Sequence, residues 1–189
     1  PSLKQRIGTL KRLSYNIPRN ALPTIGNAIV ASKVRYGLAI YGPERVNSDE
    51  QTFGHHNALQ VVLNNTARVA LGKKLSDKVS AERLSAASGM KSLNRASIED
   101  RLRLAWTSVQ NCDSPLNKWF RADCGHGQMV TRSKAEGKMR ESARTTIGRG
   151  NFPHTSIRLW NGSGSNVIMA ASKSAAKKAI RSQASNMPF

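Results

Sequence analysis

Two adjacent carboxylate pairs, Asp49-Glu50 and Glu99-Asp100, come nearest to a catalytic motif in type and spacing. Phosphoryl chemistry with two metal ions needs carboxylates that hold those ions about 4 Å apart. Each pair, however, falls where the first turn of a helix is expected, and there the helix dipole favours a negative charge without any ligand. No Asp-Asp dipeptide occurs. Cys124-Gly-His126, with Cys112 and His154 farther away, supplies zinc-ligand types, but eleven residues separate the two cysteines, where zinc sites use two to four. Two cysteines are also too few for a disulfide framework, and in a reducing compartment they would be free thiols. His55 and His56 sit on an expected helix, where neighbours point about 100° apart and make poor joint ligands. Gly125-x-Gly127, Gly148-x-Gly150 and Gly162-x-Gly164 lack the third glycine of a dinucleotide loop, and no Gly-Lys-Ser/Thr occurs. Nothing in the spacing of Ser, His and Asp supports a hydrolytic triad.

Charge is what remains. The 189 residues hold 30 Lys and Arg against 11 Asp and Glu, a formal charge of +19, so a polyanion is the default partner. Three groups of cations are candidates for binding nucleic acid: Lys4, Lys11 and Arg12; Arg68, Lys73 and Lys74; and Lys173, Lys177 and Arg181. The second group gathers at an expected helix C-terminus, where the dipole alone would favour cations. The third has no such explanation, because no acidic residue follows Glu141 and the tail holds nothing to pair with.

The elements that must carry these side chains read as helices. Leu3, Ile7, Leu10, Ser14 and Ile17 recur at helical spacing until Pro18, which has no amide to donate. A second helix is expected from Leu22 and Pro23 to Tyr41, with Leu22, Ile25, Ile29, Lys33, Tyr36 and Ile40 on one face, ended by Gly42 and Pro43. Ser48 and Gln51 fit a capping box for a third, from Asp49 to Leu71 and closed by Gly72. Ala81 to Ser88, closed by Gly89, and a helix bearing Ile98, Leu102, Ala105 and Val109 follow. This last pair could be read as a helix-turn-helix, although a glycine turn between helices specifies little. Seven of the 14 glycines lie between Gly125 and Gly164, which reads as a linker. A final helix over Val167 to Ala184 places Lys173, Lys177 and Arg181 in one stripe. With only 5% aromatic residues the core must rest on Leu, Ile, Val and Ala, which suits packed helices. The expectation is an all-α fold: a three-helix bundle over 1–75, further helices over 76–124, a glycine-rich linker over 125–166 and a basic C-terminal helix over 167–189.

The order of these pieces resembles the region that follows the palm in reverse transcriptases of the non-long-terminal-repeat, LINE-like retrotransposons. Leu22-Pro23 running through Tyr36-Gly37 to Tyr41-Gly42 resembles the family's first post-palm helices. LQVVLNNTARVALG, from Leu59 to Gly72, resembles its Leu-Gln helix with an Arg four residues before the closing Gly, here Gln60, Arg68 and Gly72. SAASGMKSLNRASIEDRLRLA continues the likeness, RLWN at Arg158 to Asn161 is similar to a late Leu-Trp-Asn, and SKSAAKKAIRSQASNMPF to the basic last helix. Tyr41 stands where Trp is commoner, Asn64 where Gln is usual, and Gly162-Ser163-Gly164 where a Pro often follows.

The resemblance implies a thumb-like bundle and connection region that grips template-primer, RNA and DNA, by backbone contacts. The palm and fingers would lie upstream in the parent polypeptide, and the family's catalytic aspartates and Mg belong to that palm. Pro1 in place of Met fits a piece of a longer product. The residues alone also admit a free-standing basic RNA-binding structural protein, or a helical scaffold for protein partners. No apolar run approaches the roughly 18 residues of a membrane span, so a soluble chain in nucleus or cytoplasm, without a membrane partner, is expected.

Overall fold

The computed structural model describes residues 2–41, 54–111, 113–120 and 152–186. Every regular element among them is helical, as the all-α expectation requires. In chain order these are α1 (Leu3–Leu13), α2 (residues 22–35), α3 (Leu38–Tyr41), α4 (Gly54–Leu71), a 3₁₀ turn (Leu75–Asp77), α5 (Ala81–Ser88), α6 (Leu93–Gln110), α7 (Asn117–Phe120), α8 (Phe152–Asn161), α9 (Ser165–Ile168) and α10 (Lys173–Asn186). The described residues form two compact units. Residues 2–38 with 54–96 make the first, and residues 39–41 with those from Ser97 onward make the second. Among the described residues the chain passes from one unit to the other after Leu38 and again inside α6, after Ala96.

In the first unit α1 opens on a capping box: Ser2 Oγ accepts from the Gln5 amide at 3.3 Å, and Gln5 Oε1 accepts from the Ser2 amide at 2.7 Å. It stops at Ser14, well before Pro18, so Ile17 packs on the core from a turn and not from the helix. Leu10, Leu22, Ala67, Ala70, Leu84 and Met90 form one apolar cluster, and Val30, Ala31, Val34, Leu38, Leu63, Leu93 and Ala96 another. α5 begins at Ser80, whose Oγ accepts from the Arg83 amide, and ends at Gly89 with φ +65°.

The face of α2 differs from the one expected, and the cause is local. Between Leu22–Gly26 and Ser32–Arg35 the helix opens into a π-helical segment, Asn27–Ala31, with the Ser32 amide reaching back to the Asn27 carbonyl. A π-turn inserts one residue, which advances every later position by one place around the axis. The buried positions of α2 are accordingly Leu22, Gly26, Val30 and Val34, in steps of four, with Ala31 beside Val30. Arg6 donates from Nη1 to the Ile29 carbonyl at 2.8 Å inside the wide turn, and the Ser32 hydroxyl donates to Ala28. The helix then breaks: Tyr36 is extended (φ −60°, ψ 118°) and Gly37 takes φ +76°. Tyr36 and Ile40, expected inside, are therefore 84% and 49% exposed.

α4 ends as expected at Gly72, with φ +64°. The expected start of that helix at Asp49 and the Ser48 capping box lie outside the described residues, as do Gly42, Pro43 and Asp49-Glu50.

The second unit is built round aromatic side chains. Trp106, Phe120, Phe152 and Trp160 share a core with Ile98, Leu102, Ala105, Ile157, Leu159 and Val167, and Ala176, Ile180 and Ala184 of α10 close it. Phe120 and Phe152 meet edge to face, with centroids 6.2 Å apart. Residues 152–161, assigned to the glycine-rich linker by their composition, thus form a helix at the heart of this core; residues 121–151 lie outside the described residues. The glycine count missed it because α8 contains no glycine, and its periodic Phe152, Thr155, Ile157, Leu159 and Trp160 were outweighed by glycines on either side. The last expected helix is likewise two, α9 and α10, and Met169 between them is 68% exposed.

Glu99 and Asp100 are not in a first turn. α6 starts at Leu93, where Ser92 Oγ accepts from the Arg95 amide at 3.5 Å, so the pair sits nearly two turns in. Glu99 is fully buried, with Oε2 3.2 Å from Arg103 Nη2, and Asp100 Oδ1 lies 3.6 Å from Arg103 Nη1. Arg101, 2% exposed, donates from Nε to the Ala39 carbonyl at 3.0 Å. Glu99 is thus held in the interior, which costs desolvation that the neighbouring guanidinium offsets, while Asp100 stays part-exposed.

Candidate nucleic-acid interface

Of the expected binding residues all but Arg68 are exposed. In the first unit Lys4, Lys11 and Arg12 stand on the outer side of α1, whose inner side carries the fully buried Leu10. Lys4 and Lys11 are two turns apart, about 10 Å along the axis. Arg68 is part-buried and donates from Nη2 to the Val79 carbonyl at 3.3 Å, so it holds the connection to α5 against α4. Its expected partners Lys73 and Lys74 remain at the surface beyond Gly72.

That corner also holds two cations the sequence did not single out. A side chain added at Gly72 would lie 3.6 Å from the Arg19 guanidinium carbon, so Arg19 covers the bare glycine beside Lys73. Lys78, also exposed, holds a left-handed backbone at φ 43°. Arg19 lies in an irregular turn with no periodicity to read, and only the folded chain brings it to Gly72.

In the second unit α10 carries the stripe as expected. Ala176, Ile180 and Ala184 are buried, while Lys173, Lys177 and Arg181 face outward at steps of about 6 Å. Ser172 caps this helix, its hydroxyl accepting from the Ala175 amide at 3.2 Å, which puts Lys173 at the first helical position. A cation there faces the positive end of the helix dipole and costs a few tenths to about 1 kcal/mol. The dipole that accounts for Lys73 and Lys74 therefore counts against Lys173. Among the described residues none of the three stripe cations pairs with a carboxylate, and the helix itself contains none.

No family model, curated protein or solved structure matches the chain. The residues that carry the resemblance nevertheless have definite work in this fold. Gln60 Oε1 accepts from the Leu93 amide at 2.9 Å, capping α6, while its Nε2 donates to Asn64 Oδ1 at 2.9 Å. Gly72 supplies the left-handed residue that ends α4, and Trp160 of Leu159-Trp160-Asn161 is 1% exposed in the second core. Gln60, Gly72 and Trp160 thus have architectural duties, while the basic last helix that also carries the resemblance keeps its cations at the surface.

The Gly162-x-Gly164 turn holds no ligand-sized cradle either. Gln183 of α10 spans it, accepting from the Gly164 amide at 3.3 Å and donating to the Gly162 carbonyl at 3.2 Å. Cys112, Cys124, His126, the other two glycine pairs and the side chains of His55 and His56 lie outside the described residues. His154 is part-buried on α8. Among the described residues no three of His, Cys, Asp and Glu converge to hold a metal ion, and no helix is long and apolar enough to cross a membrane.

Proposed function

We propose that this chain is a nucleic-acid-binding region of an RNA-directed DNA polymerase of LINE-like type, holding template-primer by phosphate contacts in nucleus or cytoplasm. The palm, the fingers and the Mg they would use belong to the parent polypeptide. The observation that carries the reading is the α10 stripe: three exposed cations on one face, no carboxylate among the described residues to neutralise them, and the first at the helix end where a cation is disfavoured. A partner that brings negative charge removes that cost. Phosphate contacts fix position along a duplex and carry no sequence information, which suits a grip on any template-primer.

The test is the salt dependence of binding. Every phosphate that a cation no longer neutralises flattens the slope of log affinity against log salt, by about 0.9 on duplex DNA and about 0.7 on a single strand. Replacing Lys173, Lys177 and Arg181 together by Ala is expected to lower the slope by roughly 2 to 3 with relative preference among unrelated sequences unchanged. An unchanged slope refutes the phosphate role and leaves α10 as a solubilising or partner-docking helix.

A further inference from the structure

Tyr36 is the most exposed of the large hydrophobic side chains described, at 84%, and its exposure is built into the backbone. The π-turn in α2 and the break at Tyr36-Gly37 take this residue off the buried face that an uninterrupted helix would have given it. Lys33 places its Nζ 5.5 Å from the ring centroid, so one side of the phenol carries a cation. The preceding residue, Arg35, lines a cleft of 260 Å³ together with Asn27, Ser32, Leu63, Lys91 and Ala96. The Tyr36 amide donates to the carbonyl of Ser32, which anchors the residue to the last turn of α2. The end of α2 thus presents an exposed aromatic face with a cation held against it, next in sequence to a residue that lines a small cleft.

We infer that the exposed end of α2 in the first unit is a single-strand site, at which an unpaired base stacks on Tyr36 while Lys33, held against the ring, meets an adjoining phosphate. Aromatic faces accept any base, whereas a duplex keeps its bases stacked within itself and offers only phosphates. The site rests on the reading of the chain as nucleic-acid binding and adds to it: α10 grips phosphate on either form, and Tyr36 distinguishes unpaired strand from duplex. The occupant follows from the exposed ring and the cation held against it, which together suit a base and its phosphate.

The experiment titrates the full chain with oligouridylate and with duplex RNA of equal length at several salt concentrations, for wild type, Tyr36→Ala and Tyr36→Phe. Tyr36→Ala is expected to weaken single-strand binding roughly 5- to 150-fold, the span found when one base–aromatic stack is removed. Its salt slope stays at the wild-type value, because every phosphate keeps its cation. Duplex affinity stays the same, and Tyr36→Phe binds as wild type. Folding does not confound the result, since a side chain this exposed contributes little to the core. Equal single-strand affinity of Tyr36→Ala and wild type overturns the site, and so does an equal weakening on both ligands. Wild type that binds duplex but not oligouridylate overturns the site and leaves the proposed function standing. Wild type that binds neither overturns both.

Discussion

The two units solve the same packing problem with opposite uses of aromatic residues. In the first, the aromatic side chains described, Tyr15 and Tyr36, are 80% and 84% exposed, and the core is Leu, Val, Ala and Met closed round Gly26. In the second, the described aromatics Trp106, Phe120, Phe152 and Trp160 are all buried, and the outward faces are left to lysine and arginine. Small residues let helices approach closely and free the aromatic groups for the surface. An exposed ring is therefore available for contact in the first unit, while the aromatic side chains described in the second are all buried.

This contrast predicts a ranking of substitutions. Trp160→Ala should be the costliest, about 3 to 5 kcal/mol, because it empties the centre of the second core. Urea unfolding followed by far-UV circular dichroism measures it, and a midpoint near wild type would show that the aromatic core does not carry that unit. Leu10→Ala in the first unit should cost about 2 to 5 kcal/mol. Ile40→Ala, at 49% exposure, should cost less than about 1 kcal/mol. If the two melts shift equally, the displaced face of α2 is wrong.

Glycines sharpen the point about close approach. A Cβ at Gly26 would lie 2.7 Å from the Met90 methyl and 3.2 Å from Thr66 Cγ2. Methionine can swing away, but Thr66 is fully buried and β-branched, so overpacking of about 1 to 3 kcal/mol competes with about 1 kcal/mol of helix propensity gained. Gly26→Ala should be net destabilising by about 1 kcal/mol. Gly8→Ala on α1 meets nothing within 4 Å and should stabilise by about 0.5 to 1 kcal/mol. Opposite signs for these two changes in thermal melts support tight small-residue packing in the first unit, and the same sign would remove it.

Much of the fold was legible where a single helix carries its own start and stop. α5 lies where Ser80 and Gly89 bracket it, α4 ends at the glycine expected, and Lys173, Lys177 and Arg181 stand outward with Ala176 and Ile180 beneath. Reading failed where one residue changed the register. The π-turn at Asn27–Ala31 displaced Tyr36 and Ile40 because periodicity counts residues and assumes each advances the helix by the same angle. Composition failed at Phe152–Asn161, where an apolar helix lay among glycines and basic residues. Arg68 was legible as a cation but not as a tie to the Val79 carbonyl, since that bond spans a turn whose path no local pattern sets.

Helicity, a strong positive charge, and a basic face on a last helix with no acidic residue after Glu141 were all legible along the chain. These follow from local spacing and from charge, which need no knowledge of neighbours. Tertiary structure decided which aromatic groups are hidden, how Arg19 comes to lie over Gly72, and that Glu99 is an interior carboxylate beside Arg103. Those outcomes depend on how closely two helices approach and which residue fills the gap, and packing settles that only when both are in place.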